Sequence, residues 1–294
     1  MKIINGKEIA AAIKTEIAEE VKALVEKTDR MPHLAAILVG NDPASETYVA
    51  NKEKACAEVG MCSSVYKVPE NISEKELLDT IHFINNDDEI DGLIVQLPLP
   101  KHINVEKVIA SIDPKKDVDG FHPQNVGKMV LGQDTYLPAT PMGISMLLER
   151  SKVETQGKHC VVVGRSNIVG TPVSVLLSRN NKQANCTVTL CHSRTVDLPK
   201  ICQTADILIA AIGQCEMITA DYIKKGTTVI DVGMHRISDP SKKSGFALKG
   251  DVKFDEVASL CEYITPVPGG VGPMTIVGLI LNTLKAYKEN VLKS

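Results

Sequence analysis

The sequence predicts two α/β domains with a cleft between them. Short β-branched runs alternate with amphipathic segments, which is typical of parallel sheets covered by helices. A long segment rich in Pro, Gly and Asp interrupts the alternation, which then restarts. The restart joins a strand, a glycine turn and a helix, as Rossmann-type dinucleotide-binding domains do. We expect the first domain over 1–139, joined by a C-terminal helix over 273–294, and the second over 140–272.

Composition excludes several classes of protein. The 294 residues carry a net charge of -3 and form no dominant basic patch, so nucleic acid is not expected as a partner. No apolar run reaches the length of a membrane helix, and the N-terminus becomes charged too early for a secretory signal. We therefore expect a cytoplasmic protein without a membrane partner.

The eight cysteines do not indicate a metal site. No CxxC occurs and no Cys/His cluster has the spacing of zinc ligands, so no metal is expected. Buried, reduced thiols are the preferred interpretation.

Local signals place the elements of the first half. A helix with Ile and Val at helical intervals precedes the buried strand "LAAILVG". Asp42 and Pro43 predict the N-cap and first position of the next helix, which Gly60 ends. After the strand "SSVYKV", Ser73 and Glu76 predict a capping box. The strand "GLIVQLPLP" and the helix "NVEKVIASI" close this half.

A long loop separates the two halves. The segment "DPKKDVDGFHPQNVGKMVLGQDTYLPATPMG" is too long for a plain connector, and loops of this length usually carry function. A linking helix, "PMGISMLLERSK", is expected next, followed by the strands "HCVVVG", "CTVTLC", "ADILIAAIG" and "TTVIDVG". The final "VGPMTIVGLILNTLKAYKEN" predicts a long helix.

A glycine loop opens the second domain. In "VVVGRSNIVGTPVS" the middle glycine of the usual GxGxxG fingerprint is Ser166, and the last glycine comes one residue late, at Gly170. Thr171 is predicted to cap the following helix and Pro172 to start it. A helix N-terminus offers N–H donors to a pyrophosphate, so Gly164, Arg165, Ser166 and Gly170 are candidates for cofactor binding.

The end of the next strand favours NADP over NAD. NAD-binding domains usually end this strand with an acidic residue, which binds the ribose hydroxyls. Here the strand ends in His192, Ser193 and Arg194, and Arg194 can pair with a 2′-phosphate. The alternative is that Arg194 is an ordinary solvated arginine. Met234, after "TTVIDVG", completes the predicted cofactor site.

Polar side chains of the first half are expected at the carboxyl ends of its strands, where parallel sheets bind ligands. Tyr48 and Lys52 lie four apart on one helix and therefore on one face. Gln96 ends the strand "GLIVQ", and Asp119 lies in the next loop. Taken singly, three of these residues have ordinary explanations. Lys52 can be a solvated lysine, Gln96 a cap at a strand edge, and Asp119 part of an Asp-Gly turn.

Seven segments taken together resemble one family. They are "YVANK", "GLIVQLPLP", "DVDGFHP", "PATPMG", "GRSNIVGTP", "CHSRT" and "ITPVPGGVGPMT", in that order. This set resembles the bifunctional methylenetetrahydrofolate dehydrogenase/methenyltetrahydrofolate cyclohydrolase family over nearly the full length. The resemblance implies oxidation of 5,10-methylenetetrahydrofolate with NADP, then hydrolysis of the methenyl product to 10-formyltetrahydrofolate, in one-carbon metabolism and purine biosynthesis.

The resemblance also implies roles for individual residues. Lys52 is the central catalytic residue, Gln96 its partner, Tyr48 a lining residue, and Asp119 the group that holds the pterin ring. Base chemistry near neutral pH needs an uncharged amine, which desolvation favours. The full set implied to bind substrate is Tyr48, Lys52, Val95, Gln96, Leu97, Asp119, Pro268, Gly269, Gly270, Val271 and Gly272. A turn before the last helix is the plain alternative for Pro268–Gly272.

Three other functions stay open at this point. One is an NADP-dependent dehydrogenase without hydrolase activity. Another is a catalytically silent protein on the same scaffold, and the third is a dehydrogenase for an amino acid or a shikimate-like acid. The resemblance further implies a homodimer paired through the cofactor domain.

Overall fold

The computed structural model describes residues 1–242 and 245–292. Its elements, in chain order, are β1 (Lys2–Ile3), α1 (Gly6–Thr28), β2 (His33–Val39), α2 (Pro43–Glu58), β3 (Cys62–Val68), α3 (Glu74–Asn85), β4 (Gly92–Val95), α4 (Val105–Ser111), α5 (Pro123–Val130), α6 (Ala139–Arg150), β5 (His159–Val163), α7 (Gly170–Ser178), β6 (Thr187–Cys191), α8 (Leu198–Cys202), β7 (Ile207–Ala210), β8 (Thr228–Asp231), β9 (His235–Ser238), β10 (Phe246–Lys249), α9 (Phe254–Val257), β11 (Tyr263–Ile264) and α10 (Val271–Val291).

The chain divides into two compact units. One comprises Ala12–Ala139 and Ile276–Ser294, and the other Met1–Ala11 and Thr140–Thr275. We call them the three-stranded unit and the six-stranded unit, after their main parallel sheets as the structure describes them. The sequence-predicted ranges differ at both ends of the chain, because residues 1–11 and 273–275 group with the six-stranded unit. Strand β1 pairs in parallel with β11, which accounts for the first of these differences.

The three-stranded unit is built on the sheet order β3-β2-β4, with all strands parallel. Strands β2 and β4 are buried along nearly their whole length, as strands covered on both faces are. One hydrophobic core packs the inner faces of β2 and β4 against α3 and α4; Ala35, Ile37, Leu77, Ile81, Leu93 and Val108 belong to it. The carboxyl ends of β2 and β4 therefore lie side by side at one edge of a rigid sheet.

The six-stranded unit has the sheet order β1-β11-β8-β7-β5-β6, also with parallel pairing throughout. Strands β5 and β7 supply its centre: Val161, Val163, Leu208 and Ala210 are buried in one core. Strand β5 lies between β6 and β7, so the chain leaves β5 in one direction along the sheet and then returns to its other side. This reversal is the topological switch point of a doubly wound fold, and the predicted α/β class is confirmed.

Seven of the described elements were not predicted, namely β1, α5, α8, β9, β10, α9 and β11. Helix α5 lies inside the long connecting segment, where His122 Nδ1 accepts the Gln124 amide and Pro123 is at the first turn. The antiparallel pair β9–β10 follows β8, and Arg236 lies over the Phe246 ring at 3.6 Å from its centroid. Neither has a long hydrophobic period, so the sequence pattern gave little signal for them.

The cysteine prediction needs a correction. All eight cysteines are free, but Cys215 is exposed and Cys62 is half-buried. Burial raises the pKa of the Cys56 and Cys202 thiols to about 12. Within residues 1–242 and 245–292, no helix combines the length and apolar character that a membrane span needs.

Candidate active site

Helix α2 carries Lys52 into a defined contact. The helix begins as predicted, since Asp42 Oδ2 accepts the Ser45 amide at 2.8 Å and Pro43 occupies the first turn. Val49 and Cys56 are buried on the inner face. Lys52 is half-buried, and its Nζ donates to Gln96 Oε1 at 3.1 Å. The pair predicted from sequence is therefore brought together.

Hydrogen bonds fix both the backbone and the side chain of Gln96. Its backbone amide donates to the Ile37 carbonyl at 2.9 Å, which continues the β2–β4 ladder by one residue. Its side-chain Nε2 donates to the Leu97 carbonyl at 2.6 Å. With the nitrogen held in this way, the amide oxygen is the atom that faces Lys52. Val95 is buried and Leu97 is half-buried, and a cis peptide joins Leu97 to Pro98.

Tyr48 lies one turn before Lys52 and keeps 40% of its surface exposed. Burial of the remainder raises the pKa of its phenol. No hydrogen bond joins the Tyr48 side chain to another residue in the described part of the chain, so Gln96 and not Tyr48 is the group that holds the amine. The phenol is left available to a ligand.

Two aspartates in the loop after α4 have different roles. Asp117 forms a parallel bridge with Leu93 and is buried. Its carboxylate accepts the Phe121 amide at 3.1 Å and the His122 amide at 2.8 Å. The Asn125 side chain adds a third bond at 2.8 Å. Asp117 therefore organises the loop, a role that sequence reasoning did not assign to it.

The Asp119 carboxylate has a different environment. Among the described residues, no hydrogen-bond donor contacts it. Desolvation raises its pKa from 3.8 to about 6; the Lys52 charge opposes this rise, and the Asp117 charge adds to it. Gly120 follows at φ +72°, where a Cβ would lie 2.6 Å from the Leu137 carbonyl carbon. The tight turn thus holds Asp119 as an unpaired acceptor.

The glycine loop after β5 is closed by backbone contacts. A Cβ at Gly164 would lie 2.0 Å from the Ala211 oxygen, and one at Gly170 would lie 1.8 Å from the Gly164 oxygen. Both positions thus require glycine. The prediction that Thr171 caps α7 is wrong: the helix begins at Gly170, and the Thr171 hydroxyl donates to the Arg165 carbonyl.

Ser166 occupies the position of the middle glycine of the usual fingerprint and stabilises the turn through its side chain. Its Oγ accepts the amides of Val169 and Gly170 at 3.2 and 3.4 Å. These bonds tighten the turn before α7, and they explain why an extra residue fits between the two glycines. Arg165 and Ser166 themselves are exposed.

The end of β6 presents a cationic, hydroxyl-bearing turn. Ser193 and Arg194 are exposed, and the His192 ring accepts the Arg194 amide through Nδ1 at 3.1 Å. Thr195, which sequence reasoning missed, accepts the His192 amide at 2.9 Å and closes the turn. No acidic residue occupies this strand end, so the residues present fit a 2′-phosphate.

Within the six-stranded unit, the segment Pro268–Gly272 packs against the start of α1. Gly269 has φ +107°, and a Cβ on Gly6 would lie 1.8 Å from the Gly270 oxygen. Val271 is buried, whereas Pro268 and Gly272 are exposed. Met234 is 39% exposed, and its Cε lies 3.9 Å from where a Cβ on Gly272 would be. Close packing thus explains Gly269 and Gly270, and Gly272 is the open position of the run.

No group of three or more His, Cys, Asp or Glu side chains within residues 1–242 and 245–292 has the arrangement of a metal site.

The comparisons with known proteins agree with this geometry. Residues 138–291 match the family model for the tetrahydrofolate dehydrogenase/cyclohydrolase NAD(P)-binding domain, and residues 4–119 match the model for the catalytic domain. The chain is 57% identical to the bifunctional protein FolD of Porphyromonas gingivalis over 98% of this chain and 97% of that protein. FolD of Phocaeicola vulgatus is 57% identical over all of both chains.

Solved structures show the same likeness. FolD from Campylobacter jejuni superposes with a TM-score of 0.92 at 45% identity, over 98% of this chain and 99% of that one. The Trypanosoma brucei enzyme, complexed with NADP cofactor and inhibitor, gives 0.93 at 39% identity over 98% of each chain. The family, the enzyme class and the NADP cofactor predicted from the sequence are confirmed. The chain belongs to the tetrahydrofolate dehydrogenase/cyclohydrolase family and is a bifunctional enzyme.

Proposed function

We propose that a centre built from Lys52, Gln96 and Asp119 serves both reactions of this enzyme. The enzyme oxidises 5,10-methylenetetrahydrofolate with NADP and hydrolyses the methenyl product to 10-formyltetrahydrofolate. The observation that carries the proposal is the 3.1 Å bond from Lys52 Nζ to Gln96 Oε1, beside a carboxylate without an internal donor. These groups offer an amine, a fixed amide and an anion at the carboxyl edge of one sheet.

Asp119 holds the folate in this proposal. A carboxylate is an acceptor only, and the amino and ring N–H groups of a pterin are donors. Because Asp119 has no donor of its own among the described residues, binding breaks no internal bond. Its pKa of about 6 leaves it mostly ionised at pH 7, so the acceptor is ready under ordinary conditions.

Bound NADP supplies the hydride acceptor in the first reaction. The bridging carbon loses hydride and becomes a cation delocalised over two nitrogens. An ammonium beside that carbon opposes the developing charge, whereas an uncharged amine does not. Gln96 Oε1 therefore has a specific use, because it holds the Lys52 amine by a single bond and supplies no full negative charge.

The second reaction uses the same amine as a base. In its amine form, Lys52 accepts a proton from the water that attacks the methenyl carbon, and the hydroxyl adds to that carbon. The bond from the carbon to N5 then breaks as N5 takes up the proton held by Lys52, and the hydroxyl loses its own proton to solvent as it becomes the carbonyl of the formyl group on N10. Tyr48 lies one helical turn away and presents its phenol to the same ligand.

The six-stranded unit holds the cofactor. The backbone of Gly164–Gly170 and the start of α7 receive the pyrophosphate, as helix N-termini do. Arg194, Ser193 and Arg165 bind the 2′-phosphate. Met234 and Gly272, adjacent in this unit, complete the surface that contacts ligand.

Replacing Lys52 by Met tests the function. We expect Lys52→Met to lose cyclohydrolase activity by at least a factor of about 1,000, as for loss of a general base acting with its partner. NADP affinity is expected to be unchanged, measured by titration with the cofactor alone. The matched control is Lys54→Met, because Lys54 lies on the same helix with its side chain 76% exposed and pairs only loosely with Glu58. A wild-type cyclohydrolase rate in Lys52→Met refutes the assignment.

We also propose that the enzyme is a cytoplasmic homodimer paired through the six-stranded unit. Strand β6 lies at the edge of its sheet and exposes Leu190, and Val196 beyond it is 80% exposed. Unpaired strand edges with apolar side chains favour association. Sedimentation equilibrium of the wild type and of Leu190→Lys distinguishes a dimer through this edge from other states.

A further inference from the structure

Two buried carboxylates lie beneath the loop that follows β7. Asp251 is fully buried, and its Oδ2 accepts the amides of Ile212 at 2.6 Å and Gly213 at 3.0 Å. Its Oδ1 accepts from His235 Nε2 at 2.8 Å. Asp231 lies beside it and accepts the amides of Asp251, Val252 and Gly233 at 2.9–3.0 Å. Every bond of this cluster lies within the six-stranded unit.

The loop held by Asp251 is placed where a dinucleotide binds. In this sheet β5 lies between β6 and β7, so the switch point is the crevice between the loops after β5 and β7. The two loops are in direct contact, since a Cβ on Gly164 would meet the Ala211 oxygen and the Ala211 amide donates to Val163. The Asp251 carboxylate thus fixes one wall of that crevice from behind.

We propose that Asp251, held by His235, is a positioning residue that sets the backbone of Ile212 and Gly213 for binding of the NADP dinucleotide. The inference rests on the function proposed above. Neither side chain contacts ligand in this role: Asp251 acts through two amides, and His235 acts through Asp251.

The surroundings explain why the carboxylate has to be charged and fully bonded. The Asp251 carboxylate accepts three hydrogen bonds, and two of them come from backbone amides. Hydrogen bonds to a charged acceptor are about twice as strong as those to a neutral one. The titratable groups that interact with Asp251 are Asp231 at the end of β8, His235 on β9 and Cys215 in the turn after β7. Glu216 and Lys249, which pair with each other, act in turn on Cys215. Burial and the neighbouring Asp251 charge contribute to a pKa of about 6 for Asp231. His235 is thus the cationic or donor group that directly contacts Asp251.

The test compares Asp251→Asn with Asp206→Asn. Asp206 precedes β7 at the opposite end of the strand, where it accepts the His159 amide at 3.0 Å and pairs with Lys224. Both changes replace a hydrogen-bonded carboxylate in the same unit. We expect Asp251→Asn to raise the Kd for NADP about tenfold, the loss expected when a charged acceptor of two amides becomes neutral. Asp206→Asn is expected to stay within twofold of wild type.

Cyclohydrolase activity provides the second readout. Added methenyltetrahydrofolate is hydrolysed without NADP, so we expect Asp251→Asn to keep this rate within twofold while the dehydrogenase KM for NADP rises. Wild-type NADP affinity in Asp251→Asn overturns the proposal. Equal loss of NADP affinity and cyclohydrolase rate also overturns it, because a general structural role has that effect.

His235 variants keep the proposal testable if Asp251→Asn does not fold. Gln can donate to Asp251 as the imidazole does, and Leu cannot. We expect wild-type NADP affinity in His235→Gln and at least a threefold loss in His235→Leu; equal affinities in the two variants overturn the proposal. Failure of the proposed function has a different signature: wild-type enzyme that binds NADP but forms no NADPH from methylenetetrahydrofolate.

Discussion

Replacing Asp119 by Asn is expected to make the free enzyme more stable and less able to bind folate. The carboxylate has no hydrogen-bond donor among the described residues, and burial raises its pKa from 3.8 to about 6. A carboxyl group with a raised folded-state pKa is easier to ionise in the unfolded chain. The fold therefore loses stability as the pH rises from about 4 through 6, and the whole penalty is present above 6.

The size of the effect follows from the pKa. A rise from 3.8 to about 6 corresponds to at most about 3 kcal/mol of destabilisation at neutral pH. Asp119→Asn removes the charge and keeps the shape of the side chain. We expect a Tm about 5 °C above wild type at pH 7.5, with the difference vanishing near pH 4.

Calorimetric unfolding between pH 4 and pH 8 measures this difference. The matched control is Asp117→Asn, two residues away in the same loop. Asp117 accepts the amides of Phe121 and His122 and the Asn125 side chain, so neutralising it is expected to lower Tm at pH 7.5. Changes in Tm of opposite sign for two aspartates in one loop test the reasoning more sharply than either substitution alone.

Folate binding supplies the functional half of the prediction. We expect the wild-type KM for methylenetetrahydrofolate to rise about tenfold from pH 7 to pH 5, as Asp119 becomes protonated. In Asp119→Asn the KM is expected to be high at both pH values, with NADP affinity unchanged. A Tm at or below wild type at pH 7.5, or an unchanged folate KM, refutes the reasoning.

Two further predictions concern cofactor choice and loop support. Arg194→Ser is expected to lower the ratio of kcat/KM for NADP to that for NAD about 100-fold, because the 2′-phosphate loses one of its two cations, with the NAD value unchanged; an unchanged ratio contradicts the assignment. Asn282 Nδ2 donates to the carbonyls of Val118 and Leu137, both at 2.8 Å. Asn282→Ala leaves both carbonyls without this donor, so the free energy of unfolding measured in urea is expected to fall by about 2–4 kcal/mol. An unchanged free energy of unfolding contradicts this supporting role of Asn282.

Local chemistry made much of the fold predictable. Asp42 caps α2 and Ser73 forms a capping box with Glu76, as predicted, because each bond joins residues three apart. The contact between Lys52 and Gln96 spans 44 residues. It was predictable because the carboxyl ends of adjacent parallel strands meet at one sheet edge, and because the two motifs together resemble a known family.

The residues that sequence reasoning missed depend on contacts distant in the chain. Asp251 bonds amides 38 and 39 residues away, and nothing near it in sequence marks it as a supporting group. Asp117 and Asp119 look alike in "DVDG", and only burial and hydrogen bonding separate the organiser of the loop from the free acceptor. Thr171 failed as a cap because Ser166, five residues earlier, already accepts the first amides.

The two units share one structural device, a buried aspartate that fixes a loop. In each, one buried aspartate with several amide donors fixes a loop at the carboxyl edge of a sheet: Asp117 in the three-stranded unit and Asp251 in the six-stranded unit. Two of the groups assigned to ligand, Asp119 and Arg194, have no hydrogen bond to their charged atoms from any residue that the structure describes. A charge already satisfied by the fold has little left to offer a ligand, whereas a desolvated and unsatisfied charge such as that of Asp119 lowers stability until the ligand binds. In the three-stranded unit, Asp117 therefore makes it possible for its loop to keep the unpaired charge of Asp119 in a fixed position.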